Sequence, residues 1–327
     1  MADQPVLMVV DIVADRFITG TPKRISREAP VLILRHDSEL LIPGGGANAV
    51  ANVRALGGRP LPLGVVGDDA SGRELLAVLR QLGVATEGIA VHAGYRTPTK
   101  VRILGGGRHA IKQQIVRYDI EDSLELDTAD RAIFSRALDR WRGQARAAVV
   151  SDYGYGSAGP ERLDGLRDAL VPGGQLLCDS RYRLGEFAGI DAATPNAEEA
   201  EALLGRELDG DLVGAGQELR QTLGCPTLLV TRGSSGMSLF AEHGHAHLPV
   251  HGTTQVADVT GAGDTVIGTF ALATAAGAHP LEAALLANYA GGVVVMKMGT
   301  ATLGPEELKA AIVAGNELLE KVTWVAS

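Results

Sequence analysis

Short apolar runs with almost no charge inside them recur along most of this chain, and each is followed by an amphipathic stretch. Val6–Val10, Pro62–Val66, Ala147–Ser151, Leu176–Cys178 and Thr227–Thr231 read as strands. None alternates apolar with polar residues, so each needs cover on both faces. Asn48–Leu56, Ser71–Leu82, Pro160–Leu170, Ala197–Leu204 and Gly214–Leu223 place apolar residues at helical spacing and supply that cover. The pattern predicts an α/β fold, with a mostly parallel sheet between helical layers and ligands at the carboxyl ends of its strands. The last third reads as helical, over Gly261–Ala276, Leu281–Met298 and Pro305–Val322.

Two segments break this rhythm. Residues 15–42 and 95–119 are polar, rich in Arg and Lys, and alternate like exposed strands. Tyr95–Leu104, a Gly-rich turn at Gly105–Gly107 and Ile111–Asp119 predict a long hairpin, and the two segments together predict a small β lid. Aromatics make up only 4% of the 327 residues while Gly numbers 42, so helices should pack closely on the sheet. A net charge of −9 argues against a nucleic-acid partner, which needs clustered Lys and Arg. No apolar run reaches the ~18 residues of a membrane span, and no basic n-region precedes the first apolar run. A cytoplasmic protein without a membrane partner is the expectation, with Cys178 and Cys225 as buried free thiols.

Asp258-Val-Thr-Gly-Ala-Gly-Asp264 precedes an apolar helix. Its glycines let the N–H groups of Gly261, Ala262 and Gly263 converge at the helix start, where the dipole also favours an anion. Asp264 in the first turn would add a carboxylate within reach of a hydroxyl. Such a turn is, by itself, equally a helix cap. Pro43-Gly-Gly-Gly-Ala-Asn48, with Gly45 and Gly46, opens an earlier helix where backbone could approach a polyol. Asn196 and Glu199 stand one turn apart at another helix start, where they could orient water around Mg²⁺ or simply cap the helix.

In this order the segments resemble the ribokinase-like (PfkB) carbohydrate kinases, over nearly the whole chain. The resemblance implies a single three-layer α/β/α kinase domain over residues 1–327, with the lid over about 15–42 and 95–119. It implies ATP and Mg²⁺, with Asp264 as base, Gly261, Ala262 and Gly263 as anion hole, and Asn196 and Glu199 positioning the metal. Thr231, Arg232 and Gly233 would border the nucleotide phosphates and Asn288 would lie near adenine. Asp258 and Thr260 would flank a monovalent cation, K⁺. A homodimer joined through the lid also follows from the resemblance.

Within the family the chain is most similar to kinases of D-glycero-D-manno-heptose 7-phosphate. The shared residues are Asp11, Asp15-Arg16, Arg24-Ile-Ser-Arg-Glu28, Gly44–Asn48, Thr99-Lys-Val-Arg102, Arg117-Tyr-Asp119 and Ser151-Asp-Tyr153. Asp11, Asp15, Asn48 and Asp152 would then bind the sugar, and Arg24, Lys100, Arg102 and Arg117 its phosphate. The chain departs from that subgroup at Tyr155, where a Lys is usual, at Asp179-Ser180-Arg181, where Asp-Pro-Lys is usual, and at the 105–114 hairpin tip. Arg181 could carry the charge of the missing Lys. Ribose, fructose-type sugars and nucleosides are alternative acceptors on this scaffold, and a non-catalytic nucleotide- or sugar-binding regulator is the alternative outside catalysis.

Two further patterns mimic ligand sites. Gly154-Tyr-Gly156-Ser-Ala-Gly159 mimics a dinucleotide-binding turn but lies mid-chain, behind Ser151-Asp-Tyr153. His243, His245 and His247 alternate as on a strand, and read as surface residues of an edge hairpin rather than metal ligands.

Overall fold

The computed structural model describes residues 1–107, 112–208, 210–252 and 257–326. The chain opens with strand β1 (Pro5–Val10), then leaves the main sheet at Asp11 for the long strands β2 (Ile12–Ile25) and β3 (Leu32–Gly45). It returns through helix α1 (Gly46–Ala55), β4 (Arg59–Gly67), α2 (Ala70–Gln81) and β5 (Ile89–His92). A second excursion forms β6 (Thr99–Gly105) and β7 (Gln113–Ile120). Alternation resumes with α3 (Thr128–Trp141), β8 (Ala147–Asp152), α4 (Leu163–Ala169), β9 (Gln175–Ser180) and the short β10 (Ala192–Ala193). Next come α5 (Ala197–Leu204), α6 (Leu212–Leu223), β11 (Thr227–Thr231) and the hairpin β12 (Met237–Ala241) with β13 (Gly244–Leu248). Helices α7 (Ala262–Ala275), α8 (Pro280–Val294), α9 (Pro305–Ala314) and α10 (Glu317–Lys321) precede the final strand β14 (Thr323–Ala326).

The main sheet runs β14-β13-β12-β11-β10-β9-β8-β1-β4-β5. Its strands are parallel from β11 to β5 and antiparallel beyond β11. Strand β1 shows why its sequence is uninterrupted by charge. Val6, Met8 and Val10 point into a core shared with Phe270 and Leu272 of α7 and Tyr289 of α8, while Leu7 and Val9 point into one shared with Phe134, Trp141 and Leu166. Helix α7 packs against α1 at Gly268, where a Cβ would lie 3.0 Å from the carbonyl oxygen of Ala49. Small residues there let the helix carrying the Asp258–Asp264 turn sit deep in the molecule.

The lid is a separate sheet of order β3-β2-β6-β7. Its strands begin at Ile12 and end at Ile120, so they start earlier than residue 15 and reach Gly45 rather than 42. The tip of the β6–β7 hairpin at 108–111 lies outside the described residues. Ile25, Leu40, Val116 and Tyr118 are exposed on this sheet.

Three expectations need correction. The helix expected over Leu281–Met298 stops at Val294, and that over Pro305–Val322 is two helices interrupted at Gly315, whose carbonyl accepts the Tyr289 hydroxyl at 2.7 Å. Strand β14, too short at the end of the sequence to be announced there, pairs outside β13. The histidine hairpin is therefore not an edge, and His245 is half-buried and stacked on Phe240 at 6.3 Å between ring centroids. Among the described residues no helix is long and apolar enough to cross a membrane.

Candidate active site

The site forms where α7 begins. Its N-cap is Gly261, whose φ of 76° lies in the left-handed region, and a Cβ there would collide with the Asn48 amide. Of the three N–H groups expected to cradle an anion, that of Ala262 is already donated to the Val259 carbonyl at 3.2 Å. The N–H groups without a partner at this turn are thus those of Gly261, Gly263 and Asp264, among the described residues. Space beyond Gly263 is open.

Asp264 is 2% exposed. Its Oδ1 accepts the Tyr153 hydroxyl at 2.6 Å and its Oδ2 the Asn48 side-chain amide at 3.1 Å. Burial lifts its pKa to about 7, against the pull of those two hydrogen bonds and of Lys100, with Asp15 adding to the rise. A carboxyl held near neutrality can take a proton from a hydroxyl, and at pH 7 about half of it is in the ionised form that does so. Tyr153 was visible in the sequence only as part of Ser151-Asp-Tyr153; nothing in the spacing placed its hydroxyl on Asp264.

Two carboxylates expected to bind sugar serve the fold. Asp11 is fully buried and accepts backbone N–H groups from Tyr153, Tyr155, Ser157 and Ala158. Burial raises its pKa, and these donors offset part of the rise. The Gly154–Gly159 run that mimics a dinucleotide turn is thus a nest for the protein's own anion. Asp152 accepts the Ser180 hydroxyl at 2.6 Å, the Arg183 guanidinium at 2.7 Å and the Gly154 N–H at 3.0 Å. Gly44, Gly45 and Gly46 likewise pass close to protein: Cβ atoms at Gly44 and Gly46 would lie 2.6 Å from Asp15 Oδ2 and Val10 Cβ.

The basic groups divide by depth. Arg102 donates to Asp15 at 2.5 Å in a buried pair. Lys100, its neighbour but one on β6, is half-buried, with Nζ 5.1 Å from the Tyr153 ring centroid and in no salt bridge among the described residues. Burial lowers its pKa; Arg117 and Arg181 push the same way, and Asp15 and Asp264 oppose them. Lys100 thus faces both carboxylates and both arginines. Arg181 is exposed, 5.6 Å from the Tyr182 ring centroid. Arg117 is held by Asp119 through two hydrogen bonds, at 2.8 and 2.5 Å. Arg24 is not brought to this site: it lies nine residues beyond Asp15 on β2, roughly 30 Å along an extended strand.

On the other side of Gly263 is a cavity of about 340 Å³. Val250, Val259, Val266 and Val295 give it apolar walls, and Thr231, Gly233 and Asn288 also line it. Asn288 donates to the Pro249 carbonyl at 2.7 Å. Arg232, expected at this edge, is not among the lining residues. Asn196 and Glu199 form a capping box, each side chain accepting the other's backbone N–H at 2.9 Å. Burial raises the Glu199 pKa. Asp179, not singled out by the sequence, joins this acidic face; burial, then Glu199 and Asp264, hold its pKa at about 8. Asp258 accepts the Thr260 N–H at 2.9 Å and the Gly299 N–H at 3.0 Å, so each oxygen already holds a turn.

A buried carboxyl thus lies between an apolar cavity and a cationic strand. Two curated relatives are the bifunctional protein HldE of Mesorhizobium japonicum, 39% identical over 315 residues, and that of Pseudomonas aeruginosa strain UCBPP-PA14, 38% identical over 314. The alignments cover 94% of this chain but 62% and 63% of the relatives, so the chain spans less than two thirds of their length. The fold matches phosphofructokinase-2 from Escherichia coli in complex with substrates and products, with a TM-score of 0.75, 18% identity, and 96% and 99% of the two chains covered. It also matches Arabidopsis thaliana ribokinase complexed with ribose and ATP, with a TM-score of 0.73, 21% identity, and 95% and 99% covered. The family model described as pfkB family carbohydrate kinase matches residues 5–136 and 178–307, so this chain belongs to that family and is a sugar kinase.

Proposed function

We propose that the protein transfers the γ-phosphoryl group of ATP to a hydroxyl of a phosphorylated sugar, and that the acceptor is the anomeric oxygen of D-glycero-D-manno-heptose 7-phosphate. The observation that carries this reading is the position of Asp264, between the apolar cavity beside Gly263 and the cation Lys100 on β6. The cavity suits a planar base and its ribose, with Asn288 as a polar contact. Lys100, Arg117 and Arg181 suit an anionic group on the acceptor, and the two HldE relatives favour the heptose phosphate over neutral sugars.

Asp264 would take the proton of the attacking hydroxyl as its oxygen bonds to the γ-phosphorus, while the bond from that phosphorus to the β–γ bridging oxygen breaks and ADP leaves with the bonding pair. The N–H groups at the start of α7 would face the charge on the transferring group. Asp15, fixed by Arg102, has lone pairs left for a second sugar hydroxyl. Asn196 and Glu199 fit a divalent ion held through water: their box leaves one Glu199 oxygen uncommitted, beside Asp179. Magnesium, when bound there, would neutralise phosphate charge. Asp258 and Thr260 fit a monovalent cation less directly, because both Asp258 oxygens are engaged. The exposed apolar residues of the lid, Leu40 and Val116 among them, favour a homodimer through that sheet.

The test is ADP release across phosphorylated and neutral sugars. Turnover with heptose 7-phosphate at kcat/KM at least tenfold above ribose and fructose is expected. Neutral sugars outperforming phosphosugars would refute the role given to Lys100.

A further inference from the structure

Tyr153 belongs to none of the roles assigned so far, yet it touches the centre of the site. Its hydroxyl is 2.6 Å from Asp264 Oδ1, its backbone N–H is held by Asp11 at 2.8 Å, and Lys100 lies over its ring. The glycine turn that opens α1 leaves room beside the ring, since a Cβ on Gly45 would lie 3.4 Å from Tyr153 Cε2. The phenol thus sits between a buried carboxylate and a cation.

We propose that Tyr153 is a positioning residue for the base: its hydroxyl, opposite the Asn48 amide, orients the Asp264 carboxylate and keeps it ionised while lone pairs remain for the acceptor hydroxyl. This rests on the reading of Asp264 as base. A phenol can serve this way only while it stays protonated. Burial, and then the charge of Asp264, raise the Tyr153 pKa well above its usual value, so it donates at every working pH. Its hydrogen bond is the first of the influences that pull Asp264 down from the level burial alone would impose. The other charged groups facing Asp264 are Asp15 from β2, Lys100 from β6 and Asp179 from β9. Only Lys100 among these also favours the carboxylate, and it forms no hydrogen bond to it.

The experiment is the pH profile of kcat/KM for wild type and Tyr153→Phe, with a ¹³C-carboxyl NMR titration of Asp264 in both. The wild-type acid limb should fall near pH 7. Losing one charge-assisted donor should move it up by about one unit, giving about a fivefold loss at pH 7 that nearly closes by pH 9. The NMR midpoint should move by the same amount, which reports on the carboxyl even where turnover is low. An unmoved limb and midpoint, or a loss that is equal at every pH, would overturn the proposal. Asp264→Asn separates the two readings. If that variant keeps turnover, the base reading fails; if it is inactive while Tyr153→Phe leaves limb and midpoint in place, only the role of Tyr153 fails.

Discussion

The floor of the site and the lid above it handle charge in opposite ways. On the floor, Asp11, Asp152 and Asp264 are buried and each is matched by donors that the fold supplies, from backbone N–H groups to Tyr153 and Asn48. On the lid, Arg117 is exposed and paired with its neighbour Asp119, Arg24 is remote, and Lys100 is in no salt bridge among the described residues. A buried charge fully satisfied by the protein sets geometry and pKa; a partly satisfied one keeps capacity for a ligand. Under the proposed function, that difference would put the chemistry on the floor and the choice of acceptor on the lid.

The largest effect should come from the floor. Asp264→Asn removes the proton acceptor and should lower kcat by about 10²–10⁴-fold while calorimetric ATP affinity stays nearly unchanged. Retained turnover would mean that the floor does not hold the base. Next in size is Asp11→Ala, which strands four N–H groups, two of them buried and two part-buried, and should destabilise the protein by about 3 kcal/mol in a denaturant titration. If Asp11 instead bound sugar, the variant would raise KM and leave the unfolding midpoint in place.

Much of this division was legible in the sequence, for identifiable reasons. The β1 run is apolar because both of its faces are core, and that pattern survives translation into strands almost residue for residue. The Gly261–Asp264 turn was legible only in company: alone it reads equally as a helix cap, and the glycine-rich Pro43–Asn48 segment and the Asn196/Glu199 pair tipped the reading, while the left-handed φ of Gly261 came from the structure. What stayed hidden depends on contacts between distant segments. Asp11 and Asp15 look equivalent on a strand, but the first meets the 153–158 loop and the second meets Arg102. Tyr153 and Asp264 lie 111 positions apart, and no local periodicity links them. Strand β14 has only a few residues, part-exposed, and its pairing partner β13 supplies the reason for its existence.

Effects from the lid should be smaller and confined to the acceptor. Lys100→Ala should raise KM for a phosphosugar by about tenfold, consistent with one charge-assisted contact, and leave KM for ATP unchanged. Arg117→Ala should raise it by about threefold, since that guanidinium already holds Asp119. Equal effects on kcat and on ATP would place Lys100 with the floor and break the division.

The smallest effect concerns stability and tests whether the acidic face near the cavity is built for a ligand. The Asp179 carboxyl titrates at about 8 in the folded protein against 3.8 for the unperturbed group. A raised folded pKa means that its protonated form stabilises the fold fully below pH 3.8, and that this stability drains away as pH rises through 8. Asp179→Asn cannot ionise, so its Tm relative to wild type should climb by several °C between pH 5 and pH 8. Adding ATP and magnesium at pH 8 should reverse the advantage, because a bound cation favours the ionised wild-type carboxylate and not the amide. An advantage that persists with ligand would make Asp179 a strained but structural group, belonging with Asp11 and Asp152 rather than with the residues left open for substrate.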